Sequence, residues 1–245
     1  MLHPPIKRNS TLHLIQTIKN VKKPESKIKL STEKKATQKQ KEEINYQLLS
    51  AKNKLMECHL QTETNLQLLD SHPNEAFILA SALIELKDEK IIATHRPLLD
   101  RYPNYAFDLA KIISILYKAD LIKENSWDAF QESKINITES YYLHMILKKL
   151  HDASILNKDN YDLVCENAYY ATQICSVIYT LNDIDQDIFQ KLMRFAPKAG
   201  YIVTRLMVPD FSDSSEIVGD HHRFQSIIKE LAMAENILES QSLSS

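Results

Sequence analysis

The chain reads as an all-α protein, an α-solenoid-like stack of helix pairs behind a disordered basic N-terminal tail, and three features carry that reading. Glycine occurs only twice in 245 residues, at Gly200 and Gly219, where a chain of ordinary composition has about 7%. Hairpin turns draw on glycine for positive φ, so this scarcity argues against a sheet. From about Lys41 the apolar residues fall three and four apart, the period of an α-helix. A long stretch also returns thirty residues later, and a repeated helix pair buries its apolar face only against its neighbours.

The elements follow in order. Residues 1–43 carry eleven Lys/Arg and four Glu, a balance of +7, and the remainder carries −9 within a net charge of −2. With Pro4, Pro5 and Pro24 and few large apolar residues after Val21, this segment reads as a flexible basic tail on an acidic domain. Leu12, Ile15, Ile18 and Val21 recur every three residues beside Lys19, Lys22 and Lys23. A solvated tail is the preferred reading over an amphipathic helix on an anionic membrane, because the stripe is short and has no Trp or Phe. Nucleic acid is not expected as a partner, because the folded part would repel it.

Residues 44–235 form the helical-repeat domain, and 236–245 a flexible Ser-rich C-terminus. Ile44, Leu48, Ala51, Leu55 and Cys58 make a seam of little over two heptads, too short for a coiled-coil dimer. They read as a leading helix packed on the first repeat. Leu68-Leu69-Asp70-Ser71-His72-Pro73-Asn74-Glu75-Ala76-Phe77 returns as Leu98-Leu99-Asp100-Arg101-Tyr102-Pro103-Asn104-Tyr105-Ala106-Phe107, and Leu79, Ala80 and Leu86 return as Leu109, Ala110 and Leu116. That is ten identities in nineteen positions, well beyond coincidence.

Proline at each helix start, with Asp or Asn beside it to cap free N–H groups, fits the first turn of a helix. Phe77 and Phe107 then head apolar stripes and read as equivalent core residues. Leu116–Ile122 is echoed by Leu150–Leu156. Lys123-Glu124-Asn125-Ser126 ends one helix and starts a short one with Trp127 and Phe130 inward, and Tyr161 and Phe189 take the place of Trp127 in later units.

Whole classes of chemistry are disfavoured. Two distant glycines supply no P-loop, dinucleotide fingerprint or kinase loop, and neither lies in a nucleophile elbow. Cys58, Cys165 and Cys175 contain no CxxC pair and read as free thiols in a reducing compartment. No apolar run approaches the roughly 20 residues of a membrane span, and no signal-peptide h-region is apparent.

Asp183-Ile184-Asp185-Gln186-Asp187 opens like a calcium loop, but Ile188 and Arg194 stand where Gly and Glu belong, and helix capping explains the acids. His144 and His151 lie two helical turns apart, about 10 Å, too far to share a metal. His221-His222 lacks a further ligand set, and Cys58-His59 lacks a third group. No catalytic, cofactor or metal residue is therefore assigned.

The candidate binding residues are two tandem pairs, Tyr141-Tyr142 and Tyr169-Tyr170, twenty-eight residues apart at the starts of two expected helices. Neighbouring helical side chains diverge by about 100°, so one ring of each pair can enter the core while the other, Tyr141 or Tyr169, tends toward the surface; the alternative is that all four rings fill wide gaps between helices. A row of such rings suits a protein partner, since tyrosine is a favoured interface anchor.

The unit, a helix ending in Ala-x-Leu-Ile or Ile-Leu and then Lys-Glu-Asn-Ser-Trp or Lys-Asp-Asn-Tyr, resembles helical repeats of effector proteins that Legionella-type bacteria export through the Dot/Icm type IV secretion system. The resemblance covers roughly residues 68–206. Glu230, Glu235 and Glu239 before Ser240, Ser242, Ser244 and Ser245 are similar to such translocation signals. It implies a protein made in a bacterial cytoplasm, translocated into a host cytosol, and acting by binding or regulating a host or bacterial protein. It transfers no catalytic residue. The rival expectations are an enzyme with a site assembled from scattered helices, and an adaptor subunit of a secretion system.

Overall fold

A computed structural model describes the backbone of residues 25–122, 137–208 and 219–242 and the side chains of 37–122, 137–208 and 219–237. The expectations for the Leu12–Val21 stripe and for Trp127 and Phe130 lie outside the described residues. The described residues form eleven α-helices and no strands: α1 (Glu25–Glu57), α2 (Glu63–Ser71), α3 (Ala76–Leu86), α4 (Glu89–Arg101), α5 (Ala106–Lys118), α6 (Ser140–Asp152), α7 (Lys158–Glu166), α8 (Ala171–Leu181), α9 (Gln186–Arg194), α10 (Ala199–Met207) and α11 (Asp220–Ser242). The protein is all-α. None of the described helices is long and apolar enough to cross a membrane.

The chain divides into two units, Met1–Tyr46 and Gln47–Ser245. In the first, the helix begins at Glu25, well inside the segment expected to be a flexible tail to residue 43. Lys, Glu, Gln and Ala dominate residues 33–43, and these are strong helix formers needing no buried face. Gln38 Nε2 donates to Glu42 Oε1 one turn on, at 3.3 Å. At the other end α11 runs to Ser242, past the expected boundary at residue 236.

In the second unit a helix pair recurs. Each first helix starts on a side-chain cap. Thr62 Oγ1, Asn157 Oδ1 and Asp185 Oδ1 accept from the N–H of Asn65, Asn160 and Ile188, and Asp88 Oδ1 accepts from Lys90 and Ile91. Asn65 and Asn160, three residues after their caps, are wholly buried, and their amides donate to the carbonyls of Leu60 and Ile155 at 2.9 and 2.7 Å. This ties each incoming loop to its helix. The next position holds buried Ile92, Tyr161 and Phe189, so the latter two occupy the expected place.

The second helices start differently. A short turn, 3₁₀ at Pro103–Tyr105, Ile137–Glu139, Ala168–Tyr170 and Ala196–Lys198 and built on a proline in the first and last, runs straight into the helix. No side chain caps α3 or α5, contrary to expectation. The proline motif's acids instead join neighbouring elements: Lys52 of α1 meets Asp70 at 2.5 Å, and His72 meets Asp100 of α4 at 2.7 Å.

The ends carry the clearest repeat mark. His59, Lys87, Asp120, Ser154 and Asn182 all have φ between 55 and 62°, just beyond α1, α3, α5, α6 and α8. None is glycine, the residue that suits this conformation. After His59, Asp120 and Ser154, the N–H of Leu60, Leu121 and Ile155 reaches back to Leu55, Leu116 and Leu150 at 2.9, 2.9 and 3.0 Å, closing the helix in a Schellman pattern. At Lys87 and Asn182 the chain instead makes a γ-turn, with Asp88 donating to Leu86 and Asp183 to Leu181 at 2.7 Å.

The second helices pack in chain order, α3 on α5, α5 on α6, α6 on α8 and α8 on α10, with α11 against α8 and α10. Each begins with a small buried residue, Ala76, Ala106, Ser140, Ala171 or Ala199, that lets the backbones approach. Leu79, Leu109, Leu143, Ile174 and Ile202 follow three residues later, all buried. Phe224, Ile227 and Ile228 of α11 are buried too.

Phe77 is not a core residue: it is 48% exposed, and Phe107 is half-buried. The inward place belongs to the preceding alanine, and the next side chain points about 100° away. The two phenylalanines remain equivalent, each with a lysine Nζ 4.4 Å from its ring centre, Lys54 and Lys111.

Candidate functional site

Two places bring chemistry together: an aromatic edge at the starts of the second helices, and a polar cavity lower between them. Tyr141, the second residue of α6, is 52% exposed, and Tyr142 is half-buried against the core. Tyr169 is 80% exposed and Tyr170 half-buried. Within each pair the rings meet edge to face at 5.2 Å, a favourable aromatic geometry.

The two pairs do not share a place in the unit. Tyr141 follows the buried Ser140 that heads α6, whereas Tyr169 lies in the turn before α8, two residues short of Ala171. The spacing of twenty-eight matched like residues, but the helices start thirty-one apart, so Tyr141 is in register with Thr172. Its aromatic counterparts are Phe77 and Phe107 on α3 and α5, helices that pack on one another, with α5 packing in turn on α6. The row that forms is Phe77, Phe107, Tyr141. Ala-Phe repeated after Pro-Asn-x held the signal, since alanine takes the inward place and sends the ring outward.

The cavity, about 340 Å³, lies among α3, α5 and α6. Its lining includes Glu85 of α3 and Lys111 and Lys118 of α5. From α6 come His144, Lys148 and His151, with Asp152 at the rim. His144 and His151, the pair read as too distant for a shared metal, thus border one space. His144 is 4% exposed, and its Nδ1 stands 3.0 Å from Asp108 Oδ1, an ion-pair distance without hydrogen-bond alignment. Burial lowers the His144 pKa from its ordinary value, against the opposing pull of Asp108. Lys148 pairs with Asp152 at 2.5 Å. Asp108, Lys111 and Lys118 escaped the sequence reading because packing, not spacing, joins them to His144.

A second cavity, about 360 Å³, opens between α2 and α4 beside Arg96 and Pro97. Arg96 Nε is buried without a hydrogen-bond partner.

The other candidate residues have structural roles. Asp185 caps α9 and Asp187 pairs with Lys191 at 2.6 Å. Burial pushes the Cys165 and Cys175 thiols up to about 11, which keeps them protonated and poorly nucleophilic. Cys58, His221 and His222 are exposed. Among the described residues no three His, Cys, Asp or Glu side chains stand close enough to hold a metal ion. No family model matches the sequence, and neither a curated protein nor a solved structure matches it significantly.

Proposed function

We propose that the chain is a protein-binding module whose partner docks on the aromatic edge. One observation carries this: Phe77, Phe107 and Tyr141 hold the same place on three successively packed helices, and each remains open to solvent. Rings fixed in a row by a rigid scaffold lose little freedom on binding and bury large apolar bodies. Lys54 and Lys111, seated against two of the rings, give the edge a positive fringe. Tyr169 extends the aromatic surface in the next unit, with Tyr142 and Tyr170 buttressing the outer rings.

The resemblance to Dot/Icm effectors makes a host protein the first partner to seek, with translocation directed by the C-terminal Glu/Ser segment. Affinity purification from host and bacterial extracts compares the wild-type chain with Phe77→Ala/Phe107→Ala/Tyr141→Ala and with Tyr141→Ala/Tyr169→Ala. A specific partner retained by wild type and lost by the triple variant at unchanged helicity supports the reading. Undiminished capture by both variants removes this edge from consideration. Loss by the second variant alone moves the contact to Tyr169.

The rival reading as an enzyme has the Asp108–His144 cavity in its favour. No cysteine, serine or threonine lines that cavity among the described residues, so a covalent mechanism there would rest on a lysine, histidine or carboxylate nucleophile.

A further inference from the structure

We propose that the cavity among α3, α5 and α6 binds a small phosphomonoester that also carries an amino group. This site borders the partner-binding edge through Lys111 and through the Tyr141–His144 ring contact, but it does not rest on that reading.

The repeat shows that His144 is out of place as a packing residue. Its counterparts are Ala80, Ala110, Cys175 and Val203, all small or apolar, and they fill the same position between successive helices. An imidazole there loses hydration, and its edge-on contact with the Tyr141 ring at 5.3 Å leaves its nitrogens without a hydrogen-bonding reason to be buried. Asp108 is a second exception at the same contact, since its counterparts are Ile78, Tyr142, Gln173 and Tyr201. The two exceptions meet, with Asp108 Oδ1 at 3.0 Å from Nδ1. Nδ1 lies on the Asp108 side without a hydrogen bond, and Nε2 is the nitrogen assigned to the cavity that His144 lines.

The charges around it select the ligand. Among the described residues neither Lys111 nor Lys118 has an ion-pair partner; Lys111 lies against the Phe107 ring, and its charge also opposes protonation of His144. Lys148 is shared with Asp152. The lining carries three lysines against Glu85 and Asp152, an excess of one positive charge that Asp108 behind His144 balances, so protonation of either imidazole tips the site positive. Lysine acts as a point charge toward phosphate, and a protonated His144 backed by Asp108 adds a directed donor. Glu85, on the opposite helix, is left to receive an ammonium group. A volume of about 340 Å³ suits a small molecule.

Bound phosphate favours the protonated imidazole. The groups that face His144 are Glu85 from α3, Asp108, Lys111 and Lys118 from α5, and Tyr141, Lys148, His151 and Asp152 from α6. The free ring titrates below its ordinary range, so an anion at Nε2 moves its titration upward.

The full chain is titrated with O-phospho-L-serine, inorganic phosphate and L-serine, with calorimetry for affinity and NMR for the His144 ring. O-phosphoserine is expected to bind with Kd below about 1 mM and to shift the His144 titration to higher pH. Phosphate is expected to bind more weakly, and serine not at all. Lys118→Ala and His144→Ala should each weaken O-phosphoserine binding at least about tenfold. Both variants should fold, because Lys118 is exposed and alanine already occupies the equivalent places at 80 and 110. A phosphoserine peptide separates the sources: tighter binding through the same two residues points to a protein-borne phosphate, weaker binding to a free metabolite. Absence of saturable binding, or affinity undiminished in both variants, overturns the assignment.

Discussion

The α3–α5 and α5–α6 seams have the same plan and different contents. In the second, Asp108 meets His144; by repeat register the corresponding positions of the first are Ile78 and Ala110. Every neighbouring feature repeats, from the buried small residue that heads each helix to the leucine three residues on. The periodic residues therefore account for packing, and the departures mark what packing does not require. A buried aspartate–histidine contact is weak evidence for stability, because desolvation opposes the attraction gained.

Exchanging the contents of the two seams is the strongest way to break the comparison. Ala110→His places an imidazole opposite Ile78, with added volume and no carboxylate. A loss of about 3 kcal/mol or more is expected from overpacking and an unpaired polar group, read as a lower denaturant midpoint. A loss below about 1 kcal/mol means the seams are not equivalent.

His95 gives the next largest effect, and it is pH-dependent. The ring is wholly buried between α4 and α5, edge-on to Tyr117 at 5.8 Å, and burial pushes its pKa down to about 4. The unfolded chain binds the proton more readily, from an ordinary value of about 6.5. Stability is thus full above about 6.5 and falls as pH drops toward 4, by up to about 3 kcal/mol. His144 adds to the same slope, since its pKa is also lowered. Denaturant midpoints between pH 7 and 4.5 should show the fall, and His95→Leu should flatten it. An unchanged slope in that variant assigns the dependence to other groups.

How much of this was legible in the chain follows from how each feature is encoded. Caps such as Asp185, and the buried ring four residues on at Phe189, are local and stood out. Most of the apolar face stood out as well, because helical spacing declares it. Phe77 was misassigned because its stripe was counted from the proline, and the turn at residues 73–75 puts Ala76 in the inward place. The equivalent turn at Ala168–Tyr170 put Tyr169 out of register with Tyr141. The start of α1 at Glu25 was hidden because a polar helix has no periodic apolar signature. Asp108 and His144 are joined only by tertiary packing, which no spacing rule reveals.

A smaller effect lies at the helix ends. Lys87 adopts φ 58° in a γ-turn, where a Cβ is disfavoured. Lys87→Gly is expected to stabilise by roughly 1 kcal/mol once the added freedom of the unfolded chain is subtracted. Asn182→Gly should gain less, since asparagine tolerates this region better. Thermal melts of the two variants rank them, and destabilisation by both contradicts the positive φ. The smallest effect is expected from His144→Ala, within about 1 kcal/mol of wild type, since the lost contact and the relieved desolvation offset each other.

The most direct test of the aromatic edge is hydroxyl-radical footprinting of the intact chain, alone and with a captured partner. In the free chain Phe77, Tyr141 and Tyr169 should be labelled readily, while Tyr161 and Phe189 stay protected, as their burial requires. With the partner bound, labelling at Phe77 and Tyr141 should fall together, because the two rings hold one place in successive packed units. Labelling of both rings unchanged by a saturating partner contradicts the proposed docking edge.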